Sequence, residues 1–269
     1  MLRKLLKHEF RATARVMLPL YLVILLLALG TRVTSAWVEV ASYQPFLDIL
    51  FGLITIGFVL ALVAVFIVAV VLMILRFRSN LMADEGYVMF TLPVSTHQLI
   101  WSKLIVSTVW FAGACIVDGL ALLVMVVDRA FFSGLGDALT ELFHQLNSYY
   151  VGNGLAFVVE MILLFVVSCV ILCLSFYTPL AIGHAFARHK MLLSVVFFFA
   201  IQIVAEIIFG LVVTMGIPFA DPLSSFFRGL TPTQTVHGFM IGSILVSAIY
   251  GLVLYLLTIR MLHRHLNLE

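Results

Sequence analysis

The sequence predicts an all-α polytopic membrane protein of six transmembrane helices, with both termini inside. Three observations predict it. The 269-residue chain is 64% hydrophobic and only 10% charged, too little charge to cover a soluble surface of that size. Apolar runs such as Ile49–Leu75 and Leu192–Val213 exceed the ~20 residues needed to cross a bilayer. Lysine and arginine are distributed unevenly between alternate connections, and that bias sets orientation. The net charge of +2 says little beside it.

The elements follow in order as one transmembrane domain over 1–269. Residues 1–15 form an amphipathic helix, with Leu2, Leu5, Leu6, Phe10 and Thr13 at helical spacing and Arg3, Lys4, Lys7, Arg11 and Arg15 on the other side. An apolar face with a cationic flank suits an elbow helix lying in the membrane interface. Spans are expected near 16–36, 48–75, 104–127, 153–182, 191–216 and 238–259, so that 16–75 holds spans one and two, 104–182 spans three and four, and 191–259 spans five and six. The basic start runs into a long apolar stretch without a small-residue cleavage pattern, so the first span is expected to stay.

Placing the N-terminus inside puts Arg3, Lys4, Lys7, Arg11, Arg15, Arg76, Arg78, Lys103, Arg188, Lys190, Arg260 and Arg264 on the cytoplasmic side, twelve of the 15 basic residues. Arg32, Arg129 and Arg228 fall outside. The opposite orientation inverts the bias. Cytoplasmic parts are then the hairpin 76–103, the short loop 183–190 and the tail 260–269. Outside, 128–152 carries Leu135, Leu139, Leu142, Phe143 and Leu146 at helical spacing and predicts an amphipathic surface helix. Residues 217–237 hold Pro218, Pro222 and Pro232 with Phe226 and Phe227. That segment is too apolar for a free loop and too broken for a span, so a re-entrant or interfacial turn is expected.

The hairpin between spans two and three is the chemically richest stretch. Ser95 and Gln98 form an S-x-x-Q capping box that starts the third helix. Pro93 stops any continuous helix before it. Asp84 caps a short helix containing Glu85, and Tyr87, Met89 and Phe90 set apolar groups beside charge, as a docking surface requires. The competing reading is a solvated connector.

The stretch "DEGYVMFTLPVS", Asp84 to Ser95, resembles the acidic-Gly core and Leu-Pro-x-Ser of the first cytoplasmic loop in permeases of the bacterial type 2 ABC transporter family. The amphipathic N-terminal helix, six spans and the broken segment before the last span extend the resemblance over essentially the whole chain. It implies the transmembrane permease subunit of an ATP-driven exporter in the bacterial cytoplasmic membrane. It further implies a coupling helix that docks on a separate ABC ATPase, with Asp84, Glu85, Gly86, Tyr87 and Phe90 in the coupling role. A second permease chain, identical or paralogous, would complete the assembly. ATP and Mg would be bound by the partner ATPase, because this chain lacks the G-x-x-x-x-G-K-[ST] phosphate loop. No cofactor is expected here, and the chain is expected to be a transport subunit, not an enzyme. The large outer domain of some peptide-sensing ABC permeases is absent from the sequence, which by this resemblance favours simple export over sensing. Antimicrobial peptides, drugs and lipids all remain open as substrates.

Arg32, Asp118, Glu160 and Glu206 lie within or near spans, where each ionisable group needs a reason. Counting ~1.5 Å per residue from the basic anchors places Arg32, Asp118 and Glu206 roughly 22–26 Å along their spans, consistent with one depth, and Glu160 nearer the outer surface. One reading is a polar site on an exit path whose surplus negative charge suits a cationic or amphipathic substrate. The other is interhelical pairing, or carboxyls kept neutral by desolvation. Cys115, Cys169 and Cys173 sit in apolar runs and fit small residues at helix contacts. His184 with His189 and His263 with His265 lack a close acidic third ligand, so no metal site is expected.

Two other function classes compete. An ion-coupled secondary transporter or channel is supported by the carboxylates, which would relay protons. An integral-membrane enzyme is disfavoured by the absence of H-E-x-x-H or an equivalent metallopeptidase pattern.

Overall fold

The computed structural model describes residues 2–40, 45–82, 86, 91, 94–126, 136–137, 140–141, 144–145, 154–186, 188–216 and 229–264. Six long helices carry them: α1 (Leu2–Val40), α2 (Pro45–Met82), α3 (Thr96–Val126), α4 (Gly154–Gly183), α5 (Lys190–Gly216) and α6 (Pro232–Arg264). All six are long and apolar enough to cross a membrane, and the described residues contain no strand. Leucine, isoleucine and phenylalanine are exposed along most of them, as at Leu155 and Phe239. Such surfaces fit a hydrocarbon solvent, where helices are the form that satisfies every backbone group internally. The chain is a multi-pass helical membrane protein.

All six exceed the ~20 residues a bilayer needs, α1 and α2 by the most. At ~1.5 Å per residue, α1 and α2 run ~57–58 Å against a hydrocarbon core of ~30 Å. The separate elbow expected over 1–15 is instead the first turns of α1, which runs unbroken from Leu2 to Val40 with Pro19 inside it. Its buried positions there are Glu9, Thr13 and Met17, a polar-to-apolar stripe at four-residue spacing that packs on α3. Likewise 232–237, expected to lie in an interfacial segment, belong to α6. Thr231 and Gln234 form a reciprocal cap: Thr231 N donates to Gln234 Oε1 at 3.0 Å and Gln234 N to Thr231 Oγ1 at 3.3 Å. Pro232 takes the first helical position, where its missing N–H costs nothing. Residues 217–228 lie outside the described set. Of 128–152, residues 136–137, 140–141 and 144–145 are helical, and Gln145 Nε2 donates to Glu141 Oε1 at 2.8 Å one turn away. The five apolar residues of that expected surface helix lie outside the described residues.

The chain falls into two compact units. The first comprises Met1–Leu75 and Gln98–Thr140, the second Arg76–His97 and Glu141–Glu269. In the first, α1 and α3 run parallel, since contacts advance together along both. Lys103 Nζ meets Glu9 Oε1 at 2.8 Å. Trp110 Nε1 donates to Thr13 Oγ1, and Tyr21 OH to the Trp110 carbonyl, both at 2.7 Å. Gly113 sits so close to Tyr21 that an added Cβ would lie 3.1 Å from its hydroxyl.

In the second unit α4 and α6 also run parallel, with Glu160 opposite His237, Ile171 against Gly251 and Thr178 opposite Thr258. The hydroxyls of Thr178 and Thr258 meet at 2.9 Å, both fully buried; one donates across this contact and the other donates to a carbonyl one turn back. A buried polar pair satisfied this way fixes register at little cost. Helices α4 and α5 are antiparallel, joined by a tight turn and stacked through Phe176 and Phe198 at 5.1 Å between ring centroids.

Candidate functional site

The hairpin expected to do the work belongs, from Arg76 to His97, to the same unit as α4, α5 and α6. Two contacts anchor its ends. On the way in, Phe77 stacks on Tyr177 of α4, with ring centroids 3.9 Å apart and planes within 7°; both rings are fully buried. On the way out, His97 Nδ1 lies 2.8 Å from the Tyr255 hydroxyl of α6. Leu81, Met82 and Asn80 are also buried. α3 begins at Thr96, so Ser95 occupies the N-cap position that its S-x-x-Q spacing predicts. Of the five residues assigned to coupling, Gly86 is helical and buried. Asp84, Glu85, Tyr87 and Phe90 lie outside the described residues.

The turn from α4 to α5 forms a second fixed point at this end. A Cβ on Gly183 would meet Ser194 Oγ, Ser194 N and the Lys190 carbonyl, the last two at 2.6 and 2.7 Å, so only glycine fits. His184 follows it, buried, with Nδ1 2.9 Å from the Leu180 carbonyl. Burial lowers its pKa below the ordinary histidine value. Arg78 and Lys190 push the same way, and the Leu180 carbonyl opposes them. His189 adopts φ 57°, a left-handed conformation that histidine tolerates better than branched residues, and its carbonyl accepts from Leu193 N at 2.9 Å.

The four intramembrane charges do not form one set within either unit. Arg32 and Asp118 share the first unit, but the Glu9–Lys103 pair marks a common level on their parallel helices. From it, Arg32 lies ~34 Å along α1 and Asp118 ~22 Å along α3. Counting from the basic anchors missed this offset, because the anchors themselves stand at different levels. Asp118 is buried, and its Oδ1 has no hydrogen-bond partner among the described residues. In the second unit Glu160 pairs with His237, whose Nδ1 lies 2.8 and 2.9 Å from the two carboxylate oxygens. Both side chains are mostly buried, 16% exposed for His237 and 13% for Glu160. Glu206 instead stands exposed on α5.

Sequence reasoning therefore placed Glu160 in the outer region of α4 without its partner, and did not single out Phe77, His97, Tyr177, Tyr255 or His237. His97 lies inside the Ser95–Gln98 capping box, which gives no sign of Tyr255; only packing brings 77 to 177, 97 to 255 and 160 to 237. Among the described residues no group of three or more His, Cys, Asp or Glu is gathered to hold a metal ion. Cys169 and Cys173 are buried in α4, as small residues at a helix contact would be. No family model, curated protein or solved structure matches this chain.

Proposed function

We propose that the chain is the transmembrane permease subunit of an ATP-driven exporter in the bacterial cytoplasmic membrane, moving a hydrophobic, amphipathic or peptide substrate outward. A separate ABC ATPase docks on the 76–103 hairpin and hydrolyses ATP with Mg. One observation carries this reading: the hairpin is built into the unit of α4–α6, through Phe77 on Tyr177 and His97 on Tyr255. A force applied to it reaches α4 and α6 through rigid aromatic contacts. A connector serving only to join two spans has no need of such anchors. The sequence "DEGYVMFTLPVS" supplies the docking chemistry. In the complex its acidic pair faces basic groups of the ATPase, while Gly86 permits close backbone approach.

The test is purification of the chain with and without a candidate ABC ATPase, followed by co-purification, phosphate release and transport. Hydrolysis is expected only in the complex. Glu85→Lys should weaken association, or leave hydrolysis running without transport, because losing a paired interfacial charge costs ~2–5 kcal/mol. Hydrolysis by the isolated chain, or wild-type behaviour of Glu85→Lys in all three measures, sinks the reading. The Glu160–His237 pair favours a second one, an ion-coupled secondary transporter, since a mostly buried carboxylate–imidazole pair between two spans is a group of the kind that proton relays use. Transport driven by an ion gradient in vesicles without ATP distinguishes it.

A further inference from the structure

The start of α1 carries its charge on one side. Arg3, Lys4, Lys7, Arg11 and Arg15 are all exposed, and helical geometry gathers them within an arc of about 120° over ~18 Å of helix. Glu9, the one acid among residues 1–15, sits on the opposite side, buried against Lys103. None of the five cations makes a hydrogen bond or ion pair with the described residues. The same arc continues along the helix as Leu18, Leu22, Leu29 and Val33, which are 51–58% exposed in a helix apolar enough to cross a membrane. One face of α1 is thus apolar along the span and cationic at its end. Trp101 gives the level. It stands two residues before Lys103 on α3, as Lys7 stands two before Glu9 on the parallel α1, and it is 44% exposed. An exposed tryptophan near the end of a span marks the headgroup layer, and Lys7 shares that level. Arg3 lies ~6 Å further out and Arg15 ~12 Å further in, from where its long side chain snorkels back.

We propose that this stripe is a binding site for the phosphate-bearing headgroups of anionic lipids. The occupant follows from the continuity of the face. Lipids whose chains cover Leu18 and Leu22 present their headgroups to Arg15, Arg11 and Lys7, one to three turns nearer the helix start. A lipid of net negative charge is preferred over a zwitterionic one, because a choline headgroup brings its own cation into the stripe. Lysine and arginine clusters beside a membrane helix draw anionic lipid by charge, each cation adding about fivefold. An acidic protein surface would instead have to displace lipid from the level of Trp101. The inference uses only the membrane-spanning helices and not the transporter reading, so the two fail separately.

The experiment reconstitutes the full-length chain into vesicles of equal parts phosphatidylglycerol and phosphatidylcholine, re-extracts it in mild detergent and measures by mass spectrometry which lipid stays bound. The parent should retain phosphatidylglycerol in clear excess. Arg3→Gln, Lys7→Gln and Arg11→Gln together should cut that excess at least tenfold. Lys7→Gln alone should cut it about fivefold, which keeps the proposal testable if the triple variant inserts poorly. Arg3→Lys, Lys7→Arg and Arg11→Lys together keep the charge and should keep the excess. The control removes three other exposed cations, Arg78→Gln, Arg188→Gln and Arg260→Gln, and should behave as the parent. Inorganic phosphate added during extraction should leave the excess unchanged. Equal retention of the two lipids by the parent, an equal loss in the control, or displacement by inorganic phosphate overturns the proposal. Unchanged lipid retention in the stripe variants, with loss of co-purification with a candidate ABC ATPase, also overturns it and gives the stripe to an acidic protein surface.

Discussion

Lys103 Nζ and Glu9 Oε1 lie 2.8 Å apart, with only 4 and 6% of their side chains exposed. They hold the start of α1 against the start of α3. Two buried charges attract strongly, but each has lost its water. Removing one takes from the other its buried charge partner, so Glu9→Gln or Lys103→Met alone should lower stability by ~3–5 kcal/mol, and the Glu9→Leu/Lys103→Met double variant should cost less than either single change. Thermal unfolding of the purified protein in detergent, arranged as a double-mutant cycle, measures the coupling.

Gly183 should be intolerant of a single methyl group. The atoms that a Cβ would strike include the Ser194 amide and the Lys190 carbonyl, which are backbone and cannot rotate away. Overpacking of this kind costs ~1–3 kcal/mol, and Gly183→Ala should sit at the upper end. Gly57→Ala is the control, since nothing lies within 4 Å of its Cβ, and it should be close to neutral. Removing the Ser194 hydroxyl should rescue Gly183→Ala only in part, because the backbone contacts remain.

His184 makes stability fall on acidification. Its pKa is lowered in the folded protein, chiefly by burial, with Arg78 and Lys190 adding to the effect. The unfolded chain therefore binds the proton first. Stability from this residue is complete above the ordinary histidine value of ~6.5. It is lost as pH falls through the folded pKa. The unfolding midpoint should drop as pH falls below about 6.5, and His184→Gln should flatten that slope. A slope unchanged in the variant would assign the acid sensitivity to another group.

Much of the architecture was legible because the bilayer imposes it. Apolar runs have one viable fold in hydrocarbon, so the six helices followed from composition. Ser95 capped α3 as its spacing predicts. The errors came from local signals read without their partners. The cationic flank of 1–15 suggested a separate helix lying flat, but residues 2–15 are continuous with the first span in α1, and Glu9 and Thr13 are taken up by Lys103 and Trp110. Three prolines suggested a broken segment over 217–237; its part 232–237 is helical in α6, where Pro232 sits inside a T-x-x-Q capping box that marks a helix start, and 217–228 lie outside the described residues. The charges were hardest. Helix register is a tertiary quantity, and counting along a single helix does not give the level of its neighbour.

The bond between His97 and Tyr255 gives the sharpest test of how the hairpin works. His97 leads into α3 and Tyr255 stands on α6, so the contact ties the hairpin's exit to the helix that runs parallel with α4. Tyr255→Phe deletes one hydroxyl and keeps the ring, leaving the 5.9 Å ring contact with His97 in place. A hydrogen bond contributes ~1 kcal/mol net, about a fivefold change in an equilibrium. On the proposed permease reading the docking residues lie elsewhere in the hairpin, so co-purification with an ABC ATPase and the hydrolysis rate should stay near the parent values. Transport per ATP hydrolysed should fall about fivefold, as the hairpin moves without carrying α6 with it. His97→Ala should match this loss, and the two changes together should add little, because they remove one interaction. Equal transport per ATP in all three variants would show that motion of the hairpin does not reach α6 through this bond.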